Sequence, residues 1–187
     1  LKWQLRSKLK ALHRELDLTM IYVTHDQTEA LTFADTVVVM HDGRVVQSGT
    51  PAELFDKPEH TFVGYFIGSP RINIVPAKVS GHEARIDGHV IGLHRNYGVL
   101  PDGANIEIGV RPEFVNVAAP ASGLLSATIE RIDDLGRVRF ARVRIGDAKF
   151  AARVPPEFSV SDNTVGLVFD PAHVHVYADS RLVEGVA

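Results

Sequence analysis

Short β-rich runs fill the C-terminal part of the chain and constrain its fold more than any other feature. From residue 74 onward the apolar residues show no long helical repeat and fall in short runs separated by Gly, Asp and Pro. Two separators, Asp87-Gly88 and Gly146-Asp147, are typical of tight hairpin turns. Regularly spaced short strands with such turns predict a small β-barrel or β-sandwich. The runs are residues 85–86, 89–93, 106–111, 124–132, 138–145, 149–154, 165–169 and 173–177.

The N-terminal part has a different pattern. Leucines at positions 5, 9, 12 and 16 recur at steps of four, three and four, which predicts a helix with one apolar face. The following run MIYVT, residues 20–24, predicts a strand that is apolar on both faces. Such a strand needs parallel neighbours, and residues 1–73 contain no further strands of this kind. The pattern therefore predicts the remnant of an α/β domain whose sheet lacks most of its members.

Turn and capping signals organise the residues that follow. Runs 36–40 and 44–47 flank Asp42-Gly43, which predicts a hairpin. Thr50, Pro51 and Glu53 form a capping-box pattern that predicts a helix to about residue 55. A second helix is predicted over residues 59–67, ending at Gly68. We therefore predict an α+β chain with two domains: an α/β remnant over 1–73 and an all-β barrel or sandwich over 74–187.

Composition and charge exclude several classes of protein. The chain has no cysteine, which rules out disulfide scaffolds, thiolate zinc sites and cysteine nucleophiles. It has no apolar run approaching the roughly 20 residues of a membrane span. Residues 1–75 hold 8 basic and 9 acidic side chains, and residues 76–187 hold 12 and 14. Neither part is a basic arm, so nucleic acid is not a predicted partner.

The stretch IYVTHDQTEA, residues 21–30, is the candidate site for chemistry. His25 follows the predicted strand, and Asp26 can cap the helix that comes next. Ligands of open α/β sheets bind beyond the carboxyl ends of the strands. A histidine placed there can donate a hydrogen bond to a phosphate at the helix N-terminus. The alternative from the residues alone is a structural histidine.

Several segments resemble one known family. The stretches 21–35 (IYVTHDQTEALTFAD) and 37–58 (VVVMHDGRVVQSGTPAELFDKP) resemble the end of an ABC transporter nucleotide-binding domain. Residues 68–73 resemble the linker of the importer subclass that takes up sugars and glycerol phosphate. Residues 109–113 (GVRPE) and 134–136 (DLG) resemble its C-terminal OB-like TOBE domain. The resemblance covers nearly the whole chain, and within it His25 matches the switch-loop histidine.

The resemblance implies a function for a longer parent protein. Such parents bind ATP and Mg²⁺, form homodimers and sit on membrane-spanning permease subunits at the cytoplasmic face of the cell membrane. His25 would contact the γ-phosphate there and couple nucleotide state to dimer closure. This chain has neither GxxxxGK(S/T) nor an LSGGQ-like segment, and it begins at Leu1 without a helix cap. We therefore expect a fragment that binds no cofactor and does not hydrolyse ATP on its own.

Two other functions are compatible with the residues. A stand-alone OB-like module would bind an oligosaccharide, an oligonucleotide or a regulatory protein. The negative charge of residues 76–187 and their scattered phenylalanines argue against the oligonucleotide. A free enzyme using His25 and Asp26 would lack a recognisable nucleophile or metal constellation.

Pairs of residues within the predicted barrel suggest further interactions. His173 and His175 share a strand face, which permits a metal pair, although no third ligand is near in the sequence, so no metal is predicted. Arg111 and Glu113 are predicted to form a partly exposed ion pair around Pro112. The arginines at 137, 139, 142 and 144 favour either a polyanion surface or a solvated strand face. Their spacing predicts a bulge after Ala141.

The predicted helix and strand at the N-terminus would leave apolar surface uncovered. If the neighbouring strands are absent, that surface remains exposed to water. We therefore expect it to pair with another copy of the chain through helix packing or strand exchange.

Overall fold

The computed structural model describes residues 2–159 and 163–186. Leu1, residues 160–162 and Ala187 lie outside the described residues, and so do the outer limits of the two predicted domains. The helices are α1 (Lys2–Leu16), α2 (Gln27–Phe33), α3 (Pro51–Asp56) and α4 (Thr61–Phe66). The strands are β1 (Val37–His41), β2 (Arg44–Gly49), β3 (Asn73–Pro76), β4 (Lys78–Ile86), β5 (His89–Tyr97), β6 (Ile106–Val110), β7 (Val115–Ala118), β8 (Leu125–Asp134), β9 (Arg139–Ile145), β10 (Ala148–Val154), β11 (Thr164–Phe169), β12 (Val174–Ala178) and β13 (Arg181–Val183).

The hairpin β1–β2 and the helices α3 and α4 form a small core of their own. The two strands pair antiparallel around Asp42-Gly43, as predicted. The capping box at the start of α3 is also confirmed, since the Thr50 hydroxyl accepts from the Glu53 amide and the Thr50 amide donates to the Glu53 carboxylate at 2.7 Å. The core residues of this cluster are Val37, Val39, Leu54, Val63 and Ile67.

A closed five-stranded barrel forms the centre of the C-terminal part, which confirms the predicted OB-like fold. Its strand order is β10-β7-β11-β8-β9, and all neighbours are antiparallel except β10 and β7. The parallel contact between Arg153 and Asn116 closes the barrel. Closure leaves these strands without a free edge, which removes a template for aggregation.

A second sheet packs with the barrel. Its order is β13-β12-β6-β3, and the hairpin β4–β5 stands beside it as a two-stranded sheet. Buried side chains from the barrel, this sheet and the hairpin form one continuous apolar core. The last strand also returns to the N-terminal part: the Thr61 amide donates to the Ser180 carbonyl, and the Leu182 amide donates to the Glu59 carbonyl, each at 2.9 Å.

The prediction of a strand over residues 20–24 is wrong. This segment forms neither helix nor strand, and Ile21 and Val23 are 89% and 91% exposed. The physical reason is the missing partners, because a strand is stable only when neighbouring strands accept and donate its backbone hydrogen bonds. The sequence pattern predicted burial for this segment, but none of the sheets within the described ranges 2–159 and 163–186 pairs with it.

The prediction of a bulge after Ala141 is wrong, because the irregularity lies in the neighbouring strand β8. The pairing of β9 with β10 is regular throughout, whereas β8 against β9 shifts register between Ile129 and Arg131. Strand β9 therefore alternates without interruption. In the sequence of β9, the apolar and polar residues change phase after Ala141 because Phe140 is buried. Phe140 lies on the same face as Arg142 but is only 3% exposed, whereas Arg142 is exposed to solvent.

Candidate functional site

The loop before α2 holds His25 between two anchored residues. The Asp26 carboxylate caps α2 by accepting from the Glu29 amide at 3.2 Å, as the sequence predicted. The Asp26 amide donates in turn to the Thr24 hydroxyl oxygen at 3.0 Å. His25 is exposed between them. The imidazole thus lies one residue before the N-cap of α2, between Thr24 and Asp26, which are hydrogen-bonded to each other.

Glu29 is the residue of this loop that sequence reasoning missed. Its side chain is only 6% exposed and accepts hydrogen bonds from Thr24 at 2.8 Å and from the Tyr22 hydroxyl at 3.3 Å. The Tyr22 ring also lies against Phe33 at the other end of the helix, 5.3 Å between centroids. The signal that could have found it is the Asp-x-x-Glu spacing of Asp26 and Glu29, which marks a helix start.

This loop does not by itself form a nucleotide site. An exposed imidazole can donate one hydrogen bond, but a triphosphate requires several converging donors and a cation. Within residues 2–159 and 163–186 no group of three or more His, Asp or Glu side chains is arranged to hold a metal ion. Helix α2, with seven residues, offers only its N-terminal amides, one of which Asp26 already occupies.

A second constellation joins the small core to the β-sheet part, and its centre is Arg111. The guanidinium donates to the Phe55 carbonyl and to the Ile67 carbonyl, each at 2.7 Å. It also lies over the Phe55 ring, 3.8 Å from the centroid. The side chain is 3% exposed, and this burial lowers the pKa of Arg111 although the nearby Glu113 opposes the shift. Arg111 therefore holds the ends of α3 and α4 against the start of the barrel.

The predicted ion pair between Arg111 and Glu113 is wrong. Residues 112–114 turn into a short 3₁₀ helix, so the two side chains do not share a strand face. Among the described residues, Nη2 of Arg111 and Oε2 of Glu113 are buried without a hydrogen-bond partner. Gly68, at φ +108°, faces the guanidinium: a Cβ there would lie 2.6 Å from Nη1 of Arg111, which explains why the linker has glycine at this position.

Strand β12 reinforces the same junction. The Tyr177 hydroxyl donates to the Pro58 carbonyl, and Nε2 of His175 donates to the Asp56 carbonyl, each at 2.9 Å. Burial raises the pKa of Tyr177 and lowers the pKa of His175, so both are neutral donors. The ion pair between Lys57 and Glu184 lies nearby.

His173 and His175 do not act together, because His173 lies in the short 3₁₀ helix Pro171–His173 and only His175 is on β12. While His175 faces Asp56, Nδ1 of His173 lies 2.8 Å from the Asp170 carboxylate, and the His173 ring stacks on Phe114 at 3.6 Å. The hydrogen bond with His173 is the main cause that lowers the pKa of Asp170. Each histidine thus has a local structural partner.

The arginine-rich face of β9 is largely paired. Arg142 shares the Asp133 carboxylate with Arg131, and Arg144 pairs with Glu130. Arg139 donates to backbone carbonyls at the end of the barrel. Asp134 faces away and accepts from the Gly136 amide at 2.8 Å. The solvated strand face is therefore the better description of most of this surface.

Comparisons with known proteins agree with this architecture. The TOBE domain model matches residues 108–177. Relatives similar over nearly the whole chain include the sulfoquinovosyl glycerol transport ATP-binding protein SmoE of Agrobacterium fabrum (35% identical, 95% of this chain and 51% of the relative). They also include the trehalose/maltose import ATP-binding protein MalK of Thermococcus litoralis (36% identical, 95% of this chain and 51% of the relative). A third is the sn-glycerol-3-phosphate import ATP-binding protein UgpC 1 of Rhizobium johnstonii (34% identical, 98% of this chain and 52% of the relative).

The extent of these matches decides what they mean. The chain spans about half the length of each of these relatives, while nearly all of its own residues are matched. None of the helices within residues 2–159 and 163–186 has the length and apolar character that crossing a bilayer requires. Over nearly its whole length the chain is similar to the C-terminal region of ABC importer ATP-binding proteins of the MalK and UgpC type, and its residues 108–177 match the TOBE domain.

Proposed function

We propose that the chain is the C-terminal portion of the ATP-hydrolysing subunit of an ABC importer for a carbohydrate or a glycerol phosphate. The observation that carries this proposal is 34–36% identity over at least 95% of the chain to proteins named as ATP-binding proteins of such transport systems. The three names give four different solutes, all of them sugars or glycerol derivatives. The proposal therefore extends to this solute class and not to one compound.

ATP and Mg²⁺ belong, in this proposal, to the longer protein. The residues of this chain do not fit a nucleotide site on their own, since the exposed His25 is a single donor and the sequence has no phosphate loop. The segments missing from this sequence would come from the remaining half of the subunit. The 187-residue chain alone is then inactive as an ATPase.

The parent subunit has protein partners in the same proposal. It forms a homodimer that sits on permease subunits at the cytoplasmic face of the membrane, and the C-terminal barrel holds or regulates that dimer. The division into a nucleotide-binding remnant over residues 1–73 and a TOBE barrel over 74–187 is part of the proposal. The two separate apolar clusters support this division, one within residues 37–67 and one within residues 75–176, and the hydrogen bonds of Arg111, His175 and Tyr177 join the two parts.

His25 is the proposed switch-loop histidine. Its exposure, its place at the start of α2 and the fixed loop on which it stands support this role. In the full-length subunit it would donate a hydrogen bond toward the terminal phosphate. The anchoring by Thr24, Asp26 and Glu29 would hold the imidazole at one position relative to α2.

The test is the H25A substitution in the full-length subunit assembled with its permease partners. Loss of one positioned donor from a charged transition state lowers turnover by about 10²-fold or more. The matched control is H89A in the β4–β5 hairpin, which we expect to retain wild-type ATPase activity. If H25A kept ATPase activity within about twofold of wild type, instead of losing about 10²-fold, His25 would not be the switch-loop histidine.

A further inference from the structure

The outer wall of the barrel contains a pocket of about 350 Å³ for which the proposed function has no role. It lies where the chain between α4 and β3 passes over strands β8, β9 and β10. The charged residues that line it are Arg71, Glu130, Arg131, Arg142 and Lys149. Residues from before and after the start of the barrel therefore meet in this one pocket.

The floor of the pocket is held by hydrogen bonds between the two walls. Asn73 is 6% exposed, its side-chain amide donates to the Ala151 carbonyl at 2.9 Å, and its carbonyl oxygen accepts from the Ala151 amide at 2.7 Å. Ile72 and Phe150, beside them, are each 2% exposed. The pocket is therefore preformed, and binding would cost little reordering of the floor.

The charges on the rim are not balanced. Four basic residues face one acidic residue, whereas the chain as a whole has a net charge of −3. Glu130 is already paired with Arg144, and the Asp133 carboxylate neutralises Arg131 and Arg142 in part. A concave site lined by one sign of charge concentrates ions of the opposite sign.

Arg71 and Lys149 are the two cations of the pocket that have no counter-ion. Neither takes part in an ion pair with any residue in the described ranges 2–159 and 163–186. Both are exposed at the mouth, one on the linker and one on β10. Tyr65 adds a hydroxyl at the same rim. An arginine presents a planar pair of N–H donors that matches phosphate and carboxylate oxygens, and a lysine adds a point charge.

We propose that this pocket binds a small organic anion with two or more negative charges, in the chemical class of sugar phosphates and polycarboxylates, with Arg71 and Lys149 as its direct contacts. The volume is within the range of small-molecule sites. The concave shape with a rigid floor favours a small molecule over the flat contact area of a protein partner. Because the pocket joins the linker to the barrel, an occupant would stiffen the junction between them.

The test uses the 187-residue chain and two probes, glucose 6-phosphate and citrate, followed by isothermal titration calorimetry at low ionic strength. We expect saturable binding of at least one probe, no binding of uncharged glucose, and weakening by added salt. Glucose 6-phosphate is a phosphate ester and citrate is a polycarboxylate, so comparing the two shows which class of anion the pocket binds. The variant R71Q/K149Q is expected to weaken binding by about tenfold or more.

The matched control is R44Q/K78Q, which removes the same two charges from exposed positions outside the pocket. It should retain wild-type affinity within about twofold, since distant exposed charges are screened. Equal losses in both variants would show attraction by overall charge and overturn the site. Absence of binding by both probes, or binding only of an acidic polypeptide such as polyglutamate, would overturn the small-anion proposal. Thermal unfolding of each variant checks that the chain remains folded.

Discussion

Single buried residues determine how the barrel is joined to the helices before it. Arg111 donates to two backbone carbonyls and covers the Phe55 ring, so one side chain connects α3, α4 and the start of the barrel. Its bond to the Ile67 carbonyl spans 44 positions in the sequence. Asn73 joins β3 to β10 across 78 positions. Neither role follows from the local sequence pattern, because the partners become neighbours only when the chain has folded.

We expect R111M to destabilise the chain by about 3 kcal/mol, because two buried carbonyls lose their charge-assisted donor. Urea unfolding followed by circular dichroism measures the change. The control is R85M, which removes an exposed arginine paired only with Glu83 and should cost at most about 1 kcal/mol. If the two variants lose the same stability, Arg111 does not have the structural role described here.

Individual elements depend on their caps and on their partners. Helix α4 is capped by His60, whose Nδ1 accepts a hydrogen bond from the Phe62 amide at 3.0 Å. Burial lowers the pKa of His60, and the electrostatic influence of Arg181 and His41 lowers it further. Protonation at Nδ1 would remove the acceptor. The folded state therefore prefers the neutral histidine, which links the stability of this helix to pH.

The pH dependence has a definite sign. The pKa of His60 is lower in the folded chain than in the unfolded chain, where it has its ordinary value of about 6.5. Its contribution is complete above that value and is lost as the pH falls toward the folded pKa. We expect H60N, whose amide oxygen caps without titrating, to reduce the fall in unfolding free energy between about pH 7.5 and about pH 5.5. Part of the pH dependence of the unfolding free energy remains in H60N, because burial also lowers the pKa of His175. H89N is the control, and a slope in H60N equal to that of wild type would contradict the linkage.

The molecule as a whole has a closed part and an uncovered part. The barrel has no free edge, and its core is continuous with the second sheet. The N-terminal part instead exposes apolar side chains that a folded domain normally covers. Those between 45% and 91% exposed are Leu5, Leu12, Leu16, Leu18, Ile21 and Val23. Together these six side chains form the N-terminal apolar surface.

We expect the 187-residue chain to associate with itself through the N-terminal apolar surface. Size-exclusion chromatography with light scattering should show a mass that rises with concentration, because association removes this surface from water. The variant I21S/V23S should shift the equilibrium toward monomer. V90S, on the β4–β5 hairpin and 44% exposed, should not. A monomer at high concentration would count against this expectation.

Local signals predicted the elements whose determinants lie close together in the sequence. The hairpin at Asp42-Gly43, the capping box at Thr50, the helix cap of Asp26 and the alternating strands of the barrel all depend on contacts or turns of a few residues. These patterns, with the switch-loop resemblance around His25, were sufficient to predict the α+β class and the family. The Asp-x-x-Glu spacing marks Glu29 as part of a helix start, but its burial against Tyr22 and Thr24 follows only from the folded loop.

By itself, the sequence determined which segments turn, cap and alternate, since these properties depend on the geometry of neighbouring residues. Only the tertiary structure decided what buries them. The segment 20–24 has the composition of a central strand yet forms neither helix nor strand, because none of the strands in residues 2–159 and 163–186 pairs with it. Arginine is a residue type usually found at the surface, yet Arg111 is buried, because carbonyls at the ends of two helices accept hydrogen bonds from its guanidinium. In both cases the partner, and not the residue itself, decides whether the cost of leaving water is compensated.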